Sequence, residues 1–195
     1  HTLRRLSLTQ KKYLTVPNGL SLSRLVFLPL LYVFALKDMR AAFVIGYAIL
    51  GSTDFFDGQV ARIFNQKTDF GKTFDSIADL PFYLSSAYFM ARLYSEYLKP
   101  NMTLLYIFFG ILGLSFIVSA IRCRKPILMH TFILKLCGVL VYFLLILSYF
   151  VNTTILVTVI LGLYYIGFTE EIMIFIKYGE VDPDSPSLFK IRPKG

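Results

Sequence analysis

DFFDGQVARIFNQKTDFGKTFDSIAD, residues 54–79, sets carboxylates at short intervals inside a chain that is otherwise apolar. The 195 residues are 56% hydrophobic, with 19 Phe and 13 Tyr. Only 16% are charged, well under the roughly 25% of soluble domains. Six apolar runs are each long enough to cross a bilayer or nearly so: Leu20 to Leu36, Arg40 to Arg62, Gly71 to Tyr94, Thr103 to Ile121, Met129 to Tyr149 and Thr153 to Ile176. The second and third carry charges in their middles, and these two hold the quoted stretch. Too little polar sequence is left to cover six buried helices, which excludes an ordinary soluble fold.

The expected fold is therefore all-α and integral to a membrane, with six transmembrane helices forming a bundle over residues 20–176. A short amphipathic interfacial helix is expected within residues 1–19, before Pro17 and Asn18 open the first span. The tail, 177–195, is Pro-, Asp- and Ser-bearing and reads as a turn-rich cytoplasmic segment. Nothing resembles a linker, so residues 1–195 are expected to form one domain. The first run follows 19 residues and lacks a small-residue cleavage site, so it is expected to be a span and not a signal peptide.

The net charge of +8 does not point to nucleic acid, because the cations lie in short clusters between apolar runs. Arg4, Arg5, Lys11, Lys12 and Arg24 flank the first span, and Arg62, Lys67 and Lys72 separate the second from the third. Arg122, Arg124 and Lys125 separate the fourth from the fifth, and Lys177, Lys190, Arg192 and Lys194 follow the sixth. The opposite side has mainly Lys37, Arg40, Arg92 and Lys99. This asymmetry predicts both termini, and the loop around residues 65–70, on the cytoplasmic side. Cys123 and Cys137 lack metal-ligand spacing and read as small apolar or loop residues.

On the second helix Asp54, Asp57, Gly58, Ala61 and Arg62 recur at intervals of three and four and share a face; on the third, Gly71, Asp75 and Asp79 recur at four. The eight residues between Arg62 and Gly71 suffice for a tight turn. An antiparallel hairpin then brings four carboxylates together at the membrane boundary. Their repulsion at low dielectric requires protons, cationic partners or metal. Arg62 alone cannot balance four. An all-oxygen donor set without His or Cys favours a hard divalent cation, Mg²⁺ or Mn²⁺. Acids inside a span default to function, since their burial has no structural benefit of its own.

Hard metals beside Arg at a membrane surface suit a phosphorylated substrate. A carboxylate free of metal can take a proton from an attacking hydroxyl. Phosphate transfer, pyrophosphate hydrolysis, prenyl transfer and cation transport all satisfy that chemistry. Gly58, Ala61 and Gly71 leave space for a ligand near the backbone, or for close helix packing.

Written out, the stretch is Asp54-x2-Asp57-Gly58-x2-Ala61-Arg62-x8-Gly71-x3-Asp75-x3-Asp79. It resembles without a departure the signature of the CDP-alcohol phosphotransferase family. VPNGLSLSR, around Pro17, Asn18 and Arg24 with Pro29 beyond, is similar to the family's first-helix entry. The resemblance implies transfer of a substituted phosphoryl group from a CDP-linked donor, commonly CDP-diacylglycerol, to an alcohol, with release of CMP. It implies two divalent ions held by Asp54, Asp57 and Asp75. Asp79 is then the general base and also touches a metal. Gly58, Ala61 and Gly71 make room for the cytidine nucleotide, and Arg62 steadies the site or the donor phosphates.

Arg122 and Lys135 resemble basic positions of phosphatidylglycerophosphate synthases and suit a phosphorylated acceptor, best matched by glycerol 3-phosphate. Those synthases usually read Ala-Asp-Lys at the last aspartate, whereas this chain reads Ala78-Asp79-Leu80-Pro81. Inositol phosphate, inositol, serine and an aminoalcohol therefore stay open as acceptors. Glu170 and Glu171, near the end of the last span, either attract a cationic acceptor or only cap a polar cytoplasmic end. Membrane lipids and a second copy of the chain are the candidate partners, and a prokaryotic plasma membrane is the expected setting.

Overall fold

The computed structural model describes residues 16–63, 69–124, 127, 129, 131–182 and 185–191; the side chains at 16, 17, 54–63 and 69–80 lie outside that description. The regular structure described is helical, apart from one isolated bridge between Ser187 and Lys190. In chain order the helices are α1 (Val16–Leu36), α2 (Arg40–Ile63), α3 (Asp69–Leu93), α4 (Ser95–Leu98), α5 (Met102–Cys123), α6 (Phe132–Leu147) and α7 (Thr154–Tyr178), with a 3₁₀ turn at Lys99–Asn101. Among the described residues, three segments are long and apolar enough to cross a membrane: Asn18–Leu36, Ser95–Cys123 and Thr154–Tyr178. Arg40–Thr53 and Phe132–Leu147 are shorter apolar helices.

The first expected boundary moves. Residues 1–15 of the anticipated interfacial segment lie outside the described residues, and Val16 is already helical. Pro17 stands in the first turn, where its missing N–H costs no helical bond. The fifth run is also trimmed, from Met129–Tyr149 to Phe132–Leu147, because Thr131 caps the helix by accepting from the Leu134 amide.

The chain divides into two compact units, His1–Tyr94 and Ser95–Gly195. In the first, α1 presents one packed stripe: Asn18, Ser21, Arg24, Leu28, Leu31 and Ala35 are buried at intervals of three and four. It is polar in its first half and apolar in its second. A short turn links α1 to α2, with Asp38 in the left-handed conformation (φ 55°) and its carboxylate bound to Arg40 at 3.2 Å. Gly46 lets the helices approach, since a Cβ there would stand 3.0 Å from Leu31 Cδ2. Against α3, α2 sets an aromatic seam: Tyr47 stacks on Phe82 at 5.0 Å, and Phe43 meets Phe89 edge-on at 4.9 Å. Two hydroxyl pairs fix the register, Tyr47 with Ser86 and Tyr32 of α1 with Ser85, both at 2.8 Å.

In the second unit α7 is the hub, packed against α5 and α6. Asn101 fastens one end by donating to Thr154 O at 3.0 Å and accepting from Thr158 Oγ1 at 2.7 Å. Gly167 permits the closest approach of α6, because a Cβ there would lie 2.7 Å from Leu134 Cδ2. At the other end Cys123, Met129, Ile174, Phe175 and Val181 form an apolar cluster, with Leu188 and Ile191 packed on it. Cys123 and Cys137 are both buried and unbridged.

Candidate active site

The signature residues occupy two helices. Asp54, Asp57, Gly58, Ala61 and Arg62 lie in α2, and Gly71, Asp75 and Asp79 lie in α3. Their side chains fall outside the described residues, so the geometry begins one step away, at residues that are described. The Phe43–Phe89 and Tyr47–Ser86 contacts run antiparallel along α2 and α3 toward those positions. Among the described residues no group of three or more His, Cys, Asp or Glu could hold a metal; the four signature aspartates fall outside that search.

Arg24, part of the VPNGLSLSR stretch and also counted among the cations around the first span, is a packed residue. Its charge near the start of an apolar run reads as a topology marker, yet it is only 1% exposed and engaged by the surrounding protein. Two turns from the Leu31–Gly46 contact, α1 reaches Arg24 and α2 reaches Thr53, beside the first signature aspartate. A buried guanidinium requires anionic or hydrogen-bonding partners, because the bare charge is costly at low dielectric. The spacing of Asn18, Ser21 and Arg24 at threes, in phase with Leu28 and Leu31, is the signal that could have revealed this face.

The two cations expected to meet an acceptor lie in the second unit. Arg122 is exposed in the last turn of α5, and its Nη2 donates to the Ile176 carbonyl at 2.6 Å. Lys135 is exposed and stands in the first turn of α6, rather than six residues into the span as the longer fifth run implied. Glu171 is wholly buried and accepts the Met129 amide at 2.7 Å; Glu170 accepts the Leu188 amide at 2.8 Å. These two acids tie non-helical backbone to α7.

The profile of the CDP-alcohol phosphatidyltransferases matches residues 14–169. The chain belongs to the CDP-alcohol phosphatidyltransferase family. It is 38% identical over 100 residues to a CDP-diacylglycerol--glycerol-3-phosphate 3-phosphatidyltransferase of Aquifex aeolicus, covering 51% of this chain and 53% of that one. It is 37% identical over 67 residues to the Rickettsia typhi protein of the same name, covering 33% of this chain and 38% of that one. A Mycobacterium tuberculosis protein provisionally named a cardiolipin synthase is 39% identical over 75 residues, 37% of this chain and 35% of that one. The matched stretches thus span about half or less of these relatives. No solved structure matches the chain.

Proposed function

We propose that the chain transfers a phosphatidyl group from CDP-diacylglycerol to glycerol 3-phosphate and releases CMP. The observation that carries this reading is the complete eight-residue signature on two helices whose described halves pack antiparallel. Continued along regular helices, that register sets position 54 level with 79, position 57 level with 75 and position 61 level with 71. Such a meeting supports a single acidic centre. The Aquifex relative supports the acceptor, and the profile match across both units supports a single domain.

The donor set, four carboxylates with neither His nor Cys in the signature, fits Mg²⁺ or Mn²⁺. In this reading Asp54, Asp57 and Asp75, with a contact from Asp79, hold two ions. When bound, the ions neutralise the pyrophosphate and polarise the phosphorus under attack. Asp79 removes the proton of the acceptor hydroxyl as its oxygen bonds to the phosphatidyl phosphorus and the bond to CMP breaks. Gly58, Ala61 and Gly71 leave space for the cytidine nucleotide, and Arg62 balances donor phosphate charge. The burial of Arg24 favours an anionic neighbourhood on the α1 side as well. Arg122 and Lys135 remain the proposed cations for an acceptor phosphate, on the resemblance alone.

The test is to give the purified chain CDP-diacylglycerol and Mg²⁺ with one alcohol at a time, following CMP and lipid product together. Glycerol 3-phosphate is expected to support turnover; inositol phosphate, inositol, serine and ethanolamine are not. The mycobacterial match favours one second reading, phosphatidylglycerol as acceptor, since cardiolipin is phosphatidylglycerol carrying a second phosphatidyl group. Turnover with an unphosphorylated alcohol alone overturns the glycerol 3-phosphate assignment. Cation flux through vesicles without nucleotide or CMP release points instead to a carrier.

The finer membrane reading is also proposed: six spans in a prokaryotic plasma membrane, with both termini and the acidic centre cytoplasmic. The clustered cations of alternate loops support it. Reporter tags on either end are expected to read as cytoplasmic in intact cells. A tag reading outside rejects this topology.

A further inference from the structure

Beyond α7 the chain does not trail away. It turns at Gly179 (φ 70°), buries Val181 and Ser185, and runs back along the bundle. The Leu188–Glu170 bond brings it level with a residue about two helical turns before the end of α7, a return of about 12 Å. There Pro186 O accepts the amide of Phe132, the first residue of α6, at 2.9 Å. That bond satisfies one of the amides a helix start leaves open, as an apolar surrounding demands.

At this level α6 begins. The 16 residues of α6 span about 24 Å, less than the ~30 Å hydrocarbon core. The returning segment lies across its start. Within that segment Leu188 and Ile191 pack inward on the apolar cluster, while Phe189 between them is 95% exposed. It is held that way by a turn closed through the Ser187–Lys190 bridge, with Lys190 N donating to Ser187 O at 3.0 Å. Phe132, joined to the turn through Pro186, is 68% exposed, and Lys190 of the turn itself is exposed, the acids Glu180 and Asp182 lying earlier in the returning segment.

We propose that the Ser187–Lys190 turn is a membrane-interface anchor, with the Phe189 ring in the boundary between headgroups and acyl chains and Lys190 among anionic headgroups. An outward aromatic beside lysine, fixed over the start of the apolar helix α6, has the chemistry of an interfacial belt. The positive charge complements an anionic leaflet. The occupant is lipid: the segment is bonded to α6 and α7 on its inner side and bare where Phe189 faces outward.

The sequence contains no Trp, so Phe189→Trp creates a sole tryptophan at a position without packing to disturb. The full chain carrying it is reconstituted in phosphatidylcholine vesicles containing phosphatidylglycerol, with lipids brominated either near the headgroups or near the bilayer centre. Blue-shifted emission is expected, with about a twofold or greater loss from shallow bromines, little from deep ones, and weak quenching by aqueous acrylamide. Adding Lys190→Glu is expected to weaken the shallow quenching in phosphatidylglycerol-containing vesicles and not in pure phosphatidylcholine. Emission typical of water with strong acrylamide quenching overturns the anchor. So does blue-shifted emission that neither set of bromines affects, which would place the ring against protein. Indifference to Lys190→Glu removes the headgroup contact.

Discussion

Asp57→Asn is expected to abolish CMP release, with a loss of more than about 100-fold, the upper end of what even an indirect partner of a metal site contributes. The substitution keeps the size and helical position of the side chain but removes a charge and an anionic oxygen. Mg²⁺ and Mn²⁺ bind hard anionic oxygen far better than a neutral amide, so metal affinity should fall together with turnover. Calorimetric titration of Mn²⁺ into the purified variant, beside the CMP assay, reads both quantities. Addition of excess chelator to the unaltered chain should reproduce the loss, and added Mg²⁺ should reverse it. Full activity of Asp57→Asn, or full activity in chelator, refutes the metal mechanism. A folding defect is recognised separately by loss of helical circular dichroism.

The helical placement of the signature was legible because its information is local. Positions 54, 57, 58, 61 and 62, and 71, 75 and 79, declare a shared face through helical spacing alone, and the structure keeps both sets within single helices. The α2 start at Arg40 was equally plain, since charge and a turn interrupt the apolar pattern there. What hydropathy could not show are the places where tertiary bonds override a continuing apolar run. Met129 belongs to such a run, yet its amide is bound by Glu171 from α7, and Ile127 donates to Ser119 at 3.2 Å. Those bonds hold the chain out of the helix until Thr131 caps it.

The burial of Arg24 was hidden for a related reason. Near the start of an apolar run, a cation that faces water and one that faces a packed neighbour have the same spacing from the boundary. Only the phase with Leu28, Leu31 and Ala35 separates them, and that phase becomes meaningful once α1 is known to pack on both α2 and α3. Adjacency hid the roles of Glu170 and Glu171 in the same way. Neighbours on a helix point about 100° apart, so the pair can serve two backbone segments at once, as the bonds to Leu188 and Met129 show.

Asp79→Asn should separate binding from chemistry. If Asp79 serves mainly as the base, the variant loses the group that takes the acceptor proton, and transfer falls by about 10² or more, the scale of positioned base catalysis. Asp54, Asp57 and Asp75 remain, so the variant should still bind Mn²⁺ and CDP-diacylglycerol with affinities near those of the unaltered chain. The effect then appears in kcat with the donor KM little changed, as expected for an interaction made in the transition state. Asp57→Asn differs in kind, because there metal binding and turnover fall together. Mn²⁺ titration, donor binding and CMP release, measured on both variants in parallel, give the comparison. If Asp79→Asn loses donor and metal as completely as Asp57→Asn, no separate base exists at this position. The four aspartates must then act as one metal-holding unit, with the acceptor proton leaving to another group.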